Sequence, residues 1–158
     1  AGDLFLPEML AAAMTMKDGV EYLKPHLVGD AAESAGTVVI GTVQGDIHDI
    51  GKNLVAMMLE GAGFQVVDLG IDVPTEDIVK AVKENKPQIL GLSALLTNTM
   101  PAIKTAIDAL KEAGLRDQVK VMIGGAPVTQ EFADEVGSDG YASDAAGAVA
   151  VAREFMSA

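Results

Sequence analysis

At 158 residues, with 11 Lys and Arg against 23 Asp and Glu and a formal charge of −12, the chain has the size of one domain with a small appendage. The acidic balance repels phosphate backbones and excludes nucleic acid as a partner, and the absence of cysteine excludes a disulfide framework, a Cys-type zinc or iron–sulfur centre and a thiol nucleophile. A hydrophobic fraction of 49% argues against disorder, yet no apolar stretch reaches the roughly 18 residues that a bilayer span needs. With no signal-peptide core and no cysteine, a cytoplasmic address without a membrane partner is expected.

The first segment carries Leu6, Met9, Leu10, Ala13, Val20 and Leu23 at roughly helical spacing, interrupted near Gly19 and ended by Pro25. Residues 28–36 are rich in Gly, Asp, Ala, Glu and Ser and read as a linker. Residues 1–34 are therefore expected to be a partial helical unit with its linker, and residues 35–158 an α/β domain. In that domain Thr37–Val43 is a β-branched run of strand length, and Lys52–Ala62 places Leu54, Val55, Met58, Leu59 and Ala62 at helical spacing. Gln65–Gly70 reads as a second strand. Thr75 suits an N-cap, with Glu76 and Asp77 in the first turn of a helix to Asn85. Gln88–Ser93 is a third strand, followed by a helix over Pro101–Ala113 that Gly114 stops. Val119–Ile123 is a fourth strand ending at Gly124-Gly125, then a short helix over Thr129–Val136. A fifth strand at Gly140–Ala142 and a closing helix over Asp144–Met156 complete the chain.

Five βα units whose strands are apolar on both faces describe a flavodoxin-like or Rossmann-like α/β fold, a five-stranded parallel sheet with helices on both faces. Such sheets bind ligands beyond the carboxyl ends of the strands, where the winding reverses. The loop after strand one, from Gly45 to Asn53, lies there. It is not a P-loop: five residues separate Gly45 from Gly51, and Asn53 follows Lys52 where a hydroxyl would be needed for magnesium. Nor does it carry the dinucleotide fingerprint. It does hold a histidine two positions after a carboxylate. In an extended segment these point to one side, so Asp46 can fix one ring nitrogen of His48, the arrangement of a metal-ligating imidazole or of a general base. The competing reading is a satisfied loop histidine, with Asp46 and Asp49 capping the next helix. Gly51 would keep the adjoining surface open to a bulky ligand. The chain's two imidazoles are His26 and His48, so a metal on His48 would draw its remaining ligands from a prosthetic group.

Asp46, His48 and Gly51 spell Asp-x-His-x-x-Gly, Ser93 and Leu95 spell Ser-x-Leu at the end of strand three, and Gly124-Gly125 ends strand four. In this order and on this edge they resemble the cobalamin-binding domain of corrinoid proteins, which includes the corrinoid carriers of methyltransferase systems and a module of cobalamin-dependent methionine synthase. The resemblance covers nearly the whole chain. It implies cobalamin or a related corrinoid as cofactor, with His48 as the lower axial ligand of cobalt in place of the cofactor's own base. It further implies that Asp46 holds the other ring nitrogen and that Thr99 extends this relay, although Ser also occurs there in the family. The displaced base would enter a slot between strands one and three. Gly45, Ile47, Asp49 and Ile50 would flank the ligand; Ser93, Leu95 and Thr97 would line the slot; Gly124, Gly125 and Ala126 would leave room for the base. Tyr141, Ala142 and Ala145 belong to a segment that would close over base and ribose. Leu4–Leu10 resembles a helix of the family's four-helix cap, of which the sequence holds at most the second half, with Leu6 and Met9 over the methyl group.

Taken singly, each feature has an ordinary reading: Ser93 and Thr97 as helix caps, Gly124-Gly125 as a turn, Tyr141 as core filler, Leu6 and Met9 as helix packing. The function implied by the resemblance is methyl carriage on cobalt between a substrate-specific methyltransferase and an acceptor methyltransferase, pterin- or thiol-dependent, with catalysis shared with those partners. The alternatives are a corrinoid-binding sensor or regulatory domain, the adenosylcobalamin module of a mutase, against which the Leu4–Leu10 segment argues, and a flavodoxin-like fold without cobalt.

Overall fold

The structure is a computed structural model and describes residues 6–23 and 34–157. Leu4, His26 and most of the expected linker lie outside the described residues, as do the side chains of Leu6 and Met9. Strands β1 (Thr37–Thr42), β2 (Gln65–Asp68), β3 (Ile89–Ser93), β4 (Lys120–Gly124) and β5 (Gly140–Ala142) form one parallel sheet in the order β2-β1-β3-β4-β5. Helix α1 (Leu6–Leu23) lies against α2 (Ile50–Gly61), which shares one face of the sheet with α6 (Ala145–Ser157). Helices α3 (Thr75–Asn85), α4 (Met100–Glu112) and α5 (Gln130–Val136) cover the other. Among the described residues, no helix is long and apolar enough to cross a membrane.

The two-residue period of the strands sorts their side chains between two cores. Val39, Leu90, Val121 and Ile123 pack against Ile78 of α3 and Ile103, Ile107 and Leu110 of α4. Their neighbours Val38, Ile89 and Met122 pack against Leu59 of α2 and Ala148 and Ala152 of α6. Both faces are apolar, as a sheet covered on each side requires. On the α2/α6 face the side chains shrink toward the carboxyl edge. Ile89 is followed on its own face by Gly91 and Ser93, Met122 by Gly124, and β5 contributes Ala142. The helices above are also thin there, since α6 opens with Ala145 and Ala148 and α2 with Gly51. A sheet face that loses volume at one end cannot close under its helices. The result is a trench.

Boundaries depart from the sequence reading by one or two residues, with local causes. Pro74, not Thr75, is the N-cap of α3, because the Pro74 carbonyl accepts from Asp77 N and Ile78 N and Thr75 is already helical. β2 stops at Asp68, whose side chain turns back to accept from Gly70 N at 2.8 Å. The Gly124-Gly125 pair has a reason internal to the chain. Gly125 has φ +129°, and a Cβ there would lie 1.9 Å from the carbonyl oxygen of Ala94, where the β4 turn crosses the β3 turn. Gly125→Ala should therefore lower unfolding free energy by at least about 3 kcal/mol, measured by urea denaturation.

Candidate functional site

β1 and β3 are neighbours, but the chain leaves β1 toward α2 on one face and leaves β3 toward α4 on the other. The segments following them, residues 43–49 and 94–99, therefore part at the sheet edge and open a crevice, as expected of a switch in winding. Asp46 bridges that crevice. Its Oδ1 accepts from the backbone N of His48 at 3.0 Å and from His48 Nδ1 at 2.7 Å. Its Oδ2 accepts from Leu95 N at 2.7 Å, Leu96 N at 3.3 Å and the Thr99 hydroxyl at 2.7 Å. The carboxylate is fully buried. Burial alone would push its pKa up. The hydrogen bonds from Thr99, Leu95 and His48 outweigh it and hold Asp46 well below the usual carboxylate range.

An ionised carboxylate can only accept, so the proton between Asp46 and His48 belongs to Nδ1. In the neutral form of the ring, Nε2 is then the nitrogen without a proton. The His48 side chain is 44% exposed although its partner is sealed away. Beneath it, the buried Thr42 hydroxyl donates to the His48 carbonyl at 2.9 Å, so ring and backbone are both held. Asp46 is thus not a helix cap. Asp49 occupies the N-cap position of α2, but its side chain accepts from the Asn53 amide at 3.0 Å and makes no capping bond.

His48 stands on the rim of a cavity of about 590 Å³, which is the trench of the α2/α6 face. Ile40, Gly91, Leu92, Met122 and Ile123 form its floor, and Leu54, Val55, Ala145 and Ala148 its walls. Of the residues singled out from sequence, Ile47, His48, Asp49, Ile50, Gly51, Ser93, Leu95, Gly124, Gly125, Ala126, Ala142 and Ala145 line it. The cavity lies over β1, β3 and β4 between α2 and α6. Asp46 and Thr99 stand behind His48 rather than in the cavity. Gly45, Thr97 and Tyr141 do not line it; Tyr141 has the opposite strand parity to Ala142 and packs into the α3/α4 core. Sequence reasoning passed over the floor residues and Lys52. The buried Lys52 amine is tied to Asp68 and, at 2.6 Å, to Asn53, which pins the start of α2 to β2.

Two observations test whether a corrinoid suits this edge. A Cβ on Gly51 would meet nothing within 4 Å and its φ is ordinary, so the chain itself does not need glycine there. Ile47, Ile50 and Leu95 are 68%, 83% and 41% exposed around His48, an apolar margin suited to the face of a large macrocycle. Among the described residues no group of three or more His, Asp or Glu could hold a metal ion, so cobalt on His48 fits only with a macrocycle supplying the other ligands. The residues present fit the group.

Thr99→Val removes one donor from a buried charge and should cost about 1.5–3 kcal/mol in urea denaturation. The pH dependence has a definite sign. The folded-state pKa of Asp46 lies below its unfolded value, so the carboxylate adds stability that is complete above about pH 4 and declines as the medium becomes more acid. The stability gap between the wild type and Asp46→Asn should therefore narrow from pH 6 to pH 3.

A family model described as the B12 binding domain matches residues 36–150. Over 98% of its length the chain is 54% identical to Trimethylamine corrinoid protein 1 of Methanosarcina acetivorans, covering 73% of that protein. A cobalamin-binding protein from Desulfitobacterium hafniense superposes with a TM-score of 0.88 at 41% identity, over 98% of this chain and 72% of the other. A chain of the methanol:cobalamin methyltransferase complex MtaBC from Methanosarcina barkeri superposes with a TM-score of 0.85 at 39% identity, over 99% and 59%. The family match and these identities show that the chain belongs to the B12-binding family, among its corrinoid proteins.

Proposed function

We propose that the chain is a methyl carrier that holds cobalamin or a related corrinoid on its trench edge and serves two enzymes. A substrate-specific methyltransferase delivers the methyl group, drawn from a small methylated compound of the kind its relatives are named for. An acceptor methyltransferase, pterin- or thiol-dependent, removes it. The observation that carries the reading is His48 at the mouth of a trench, with its Nδ1 held 2.7 Å from the buried Asp46 carboxylate and its Nε2 left free of that bond. The same reading takes residues 1–34 as part of a helical cap and 35–158 as the corrinoid domain, and places the protein in the cytoplasm.

When bound, the corrinoid supplies a cobalt ion able to take up and give back a methyl group. The chain's contribution is orientation and exclusion. His48 would hold the cobalt through Nε2. An ionised Asp46 would keep the proton on Nδ1 and leave the Nε2 lone pair for the metal, while Thr99, Leu95 and Leu96 fix the carboxylate. Ile47, Ile50 and Leu95 form an exposed apolar margin that would meet the macrocycle. Ser93, Gly124, Gly125, Ala126, Ala142 and Ala145 line the trench, which would receive the nucleotide arm. Catalysis is shared with the partners, and a chain of net charge −12 suits basic docking faces on them.

Purified protein mixed with cobalamin should become coloured and retain the colour through gel filtration. His48→Ala should shift the bands sensitive to the axial ligand while retaining some cofactor. Gly51→Ala should be neutral or raise folding stability by up to about 1 kcal/mol, because alanine is the better helix former, while Gly51→Leu should fold but lose cobalamin uptake. A wild-type protein that stays colourless overturns the reading.

A further inference from the structure

We propose that Asp72, on the turn between β2 and α3, is a positioning residue for the Asp46–His48 pair. It does not line the cavity and touches neither side chain of the pair. It holds their backbone instead. Asp72 Oδ1 accepts from Gly45 N at 2.7 Å, and Asp72 N donates to the Asp46 carbonyl at 2.9 Å. The two bonds bracket Asp46 on both sides. Asp46 N also donates to Val43 O at 3.1 Å, and Val43 pairs with Val73, one residue beyond Asp72. The loop that carries the ligand histidine is thus clamped to the β2–α3 turn.

Asp72 adopts φ +50°, in the left-handed region that glycine or asparagine occupies at less cost than most residues. A residue needed only to make the turn would do as well or better as glycine. An aspartate there makes sense through its carboxylate, which is the acceptor for Gly45 N, itself in a left-handed turn at φ +84°. Five donors converge on the Asp46 carboxylate at 2.7–3.3 Å, and a short side chain cannot compensate for a displaced backbone. A loosened Gly45–Asp46 peptide therefore lengthens the Asp46–His48 bond and turns Nε2 away from its fixed direction.

Three variants separate the roles of Asp72. Asp72→Gly keeps the backbone conformation and removes the acceptor, Asp72→Asn keeps both, and Asp72→Ala keeps neither, standing in should the glycine variant not fold. The first readout needs no corrinoid: nuclear magnetic resonance of the His48 Nδ1 proton in the cofactor-free protein. Wild type and Asp72→Asn should show a downfield, slowly exchanging signal; Asp72→Gly should lose it to exchange while its urea stability stays level or rises. The second rests on the corrinoid reading. In cobalamin-loaded protein the ratio of histidine-bound to histidine-free cobalt, read from the visible spectrum, should fall about tenfold in Asp72→Gly and recover in Asp72→Asn. A wild-type ring without the protected signal, or an Asp72→Gly signal equal to the wild type, overturns the proposal. Wild-type protein that takes up no cobalamin overturns the functional reading instead, and the Nδ1 signal still decides this one.

Discussion

A carboxylate sealed from water is tolerated only when its charge is matched by donors, and here everything near the site is arranged to supply them. Asp46 draws five hydrogen bonds from two segments that are nearly fifty residues apart in sequence. They meet only because β1 and β3 pair in the sheet while their following loops leave toward opposite faces. The coupling runs both ways. The sheet order brings Leu95 and Thr99 to the carboxylate, and the cost of an unmatched charge fixes the two loops against each other. A histidine on such a loop is held through both its ring and its backbone, although its side chain is half in solvent.

The trench has a different origin, in the small size of side chains rather than in what bonds to what. A strand face that runs from Ile89 to Gly91 to Ser93, beside one that runs from Met122 to Gly124, leaves space that close packing would otherwise fill. That open space weakens the α2/α6 core, which is the smaller of the two and, among the described residues, holds only seven that are buried. The α3/α4 face compensates with a dense apolar layer that includes Ile103, Ile107 and Leu110, all completely buried. One face of the sheet holds the fold together, which leaves the other free to stay open at its edge.

Much of this is legible in the chain because the signals are local. Strand parity, helix spacing and the Asp46-x-His48 step can each be read within a dozen residues, and the structure reproduces them with end shifts of one or two positions. What escapes depends on distance. The extent of the trench over β1, β3 and β4 follows from how α2 and α6 flank it, which no spacing encodes. Tyr141 lies beside Ala142 in sequence, but strand alternation sends it to the opposite core. Nothing near Lys52 in sequence shows its bond to Asp68, sixteen residues on, and nothing near Asp72 shows that Gly45 donates to it.

Glycine shows why motif and cause must be kept apart. Gly125 and Gly51 both belong to sequence signatures of the same ligand, and both line the cavity. At Gly125 any side chain would collide with the Ala94 carbonyl, so the residue is demanded by the crossing of two turns and would be glycine with or without a cofactor. At Gly51 a side chain would meet open space in an ordinary helical conformation, so nothing within the chain demands it. Only the second points outward. A helix gives up stability by opening with glycine, and space held at that expense beside a tethered imidazole is space meant for a molecule the chain does not itself contain.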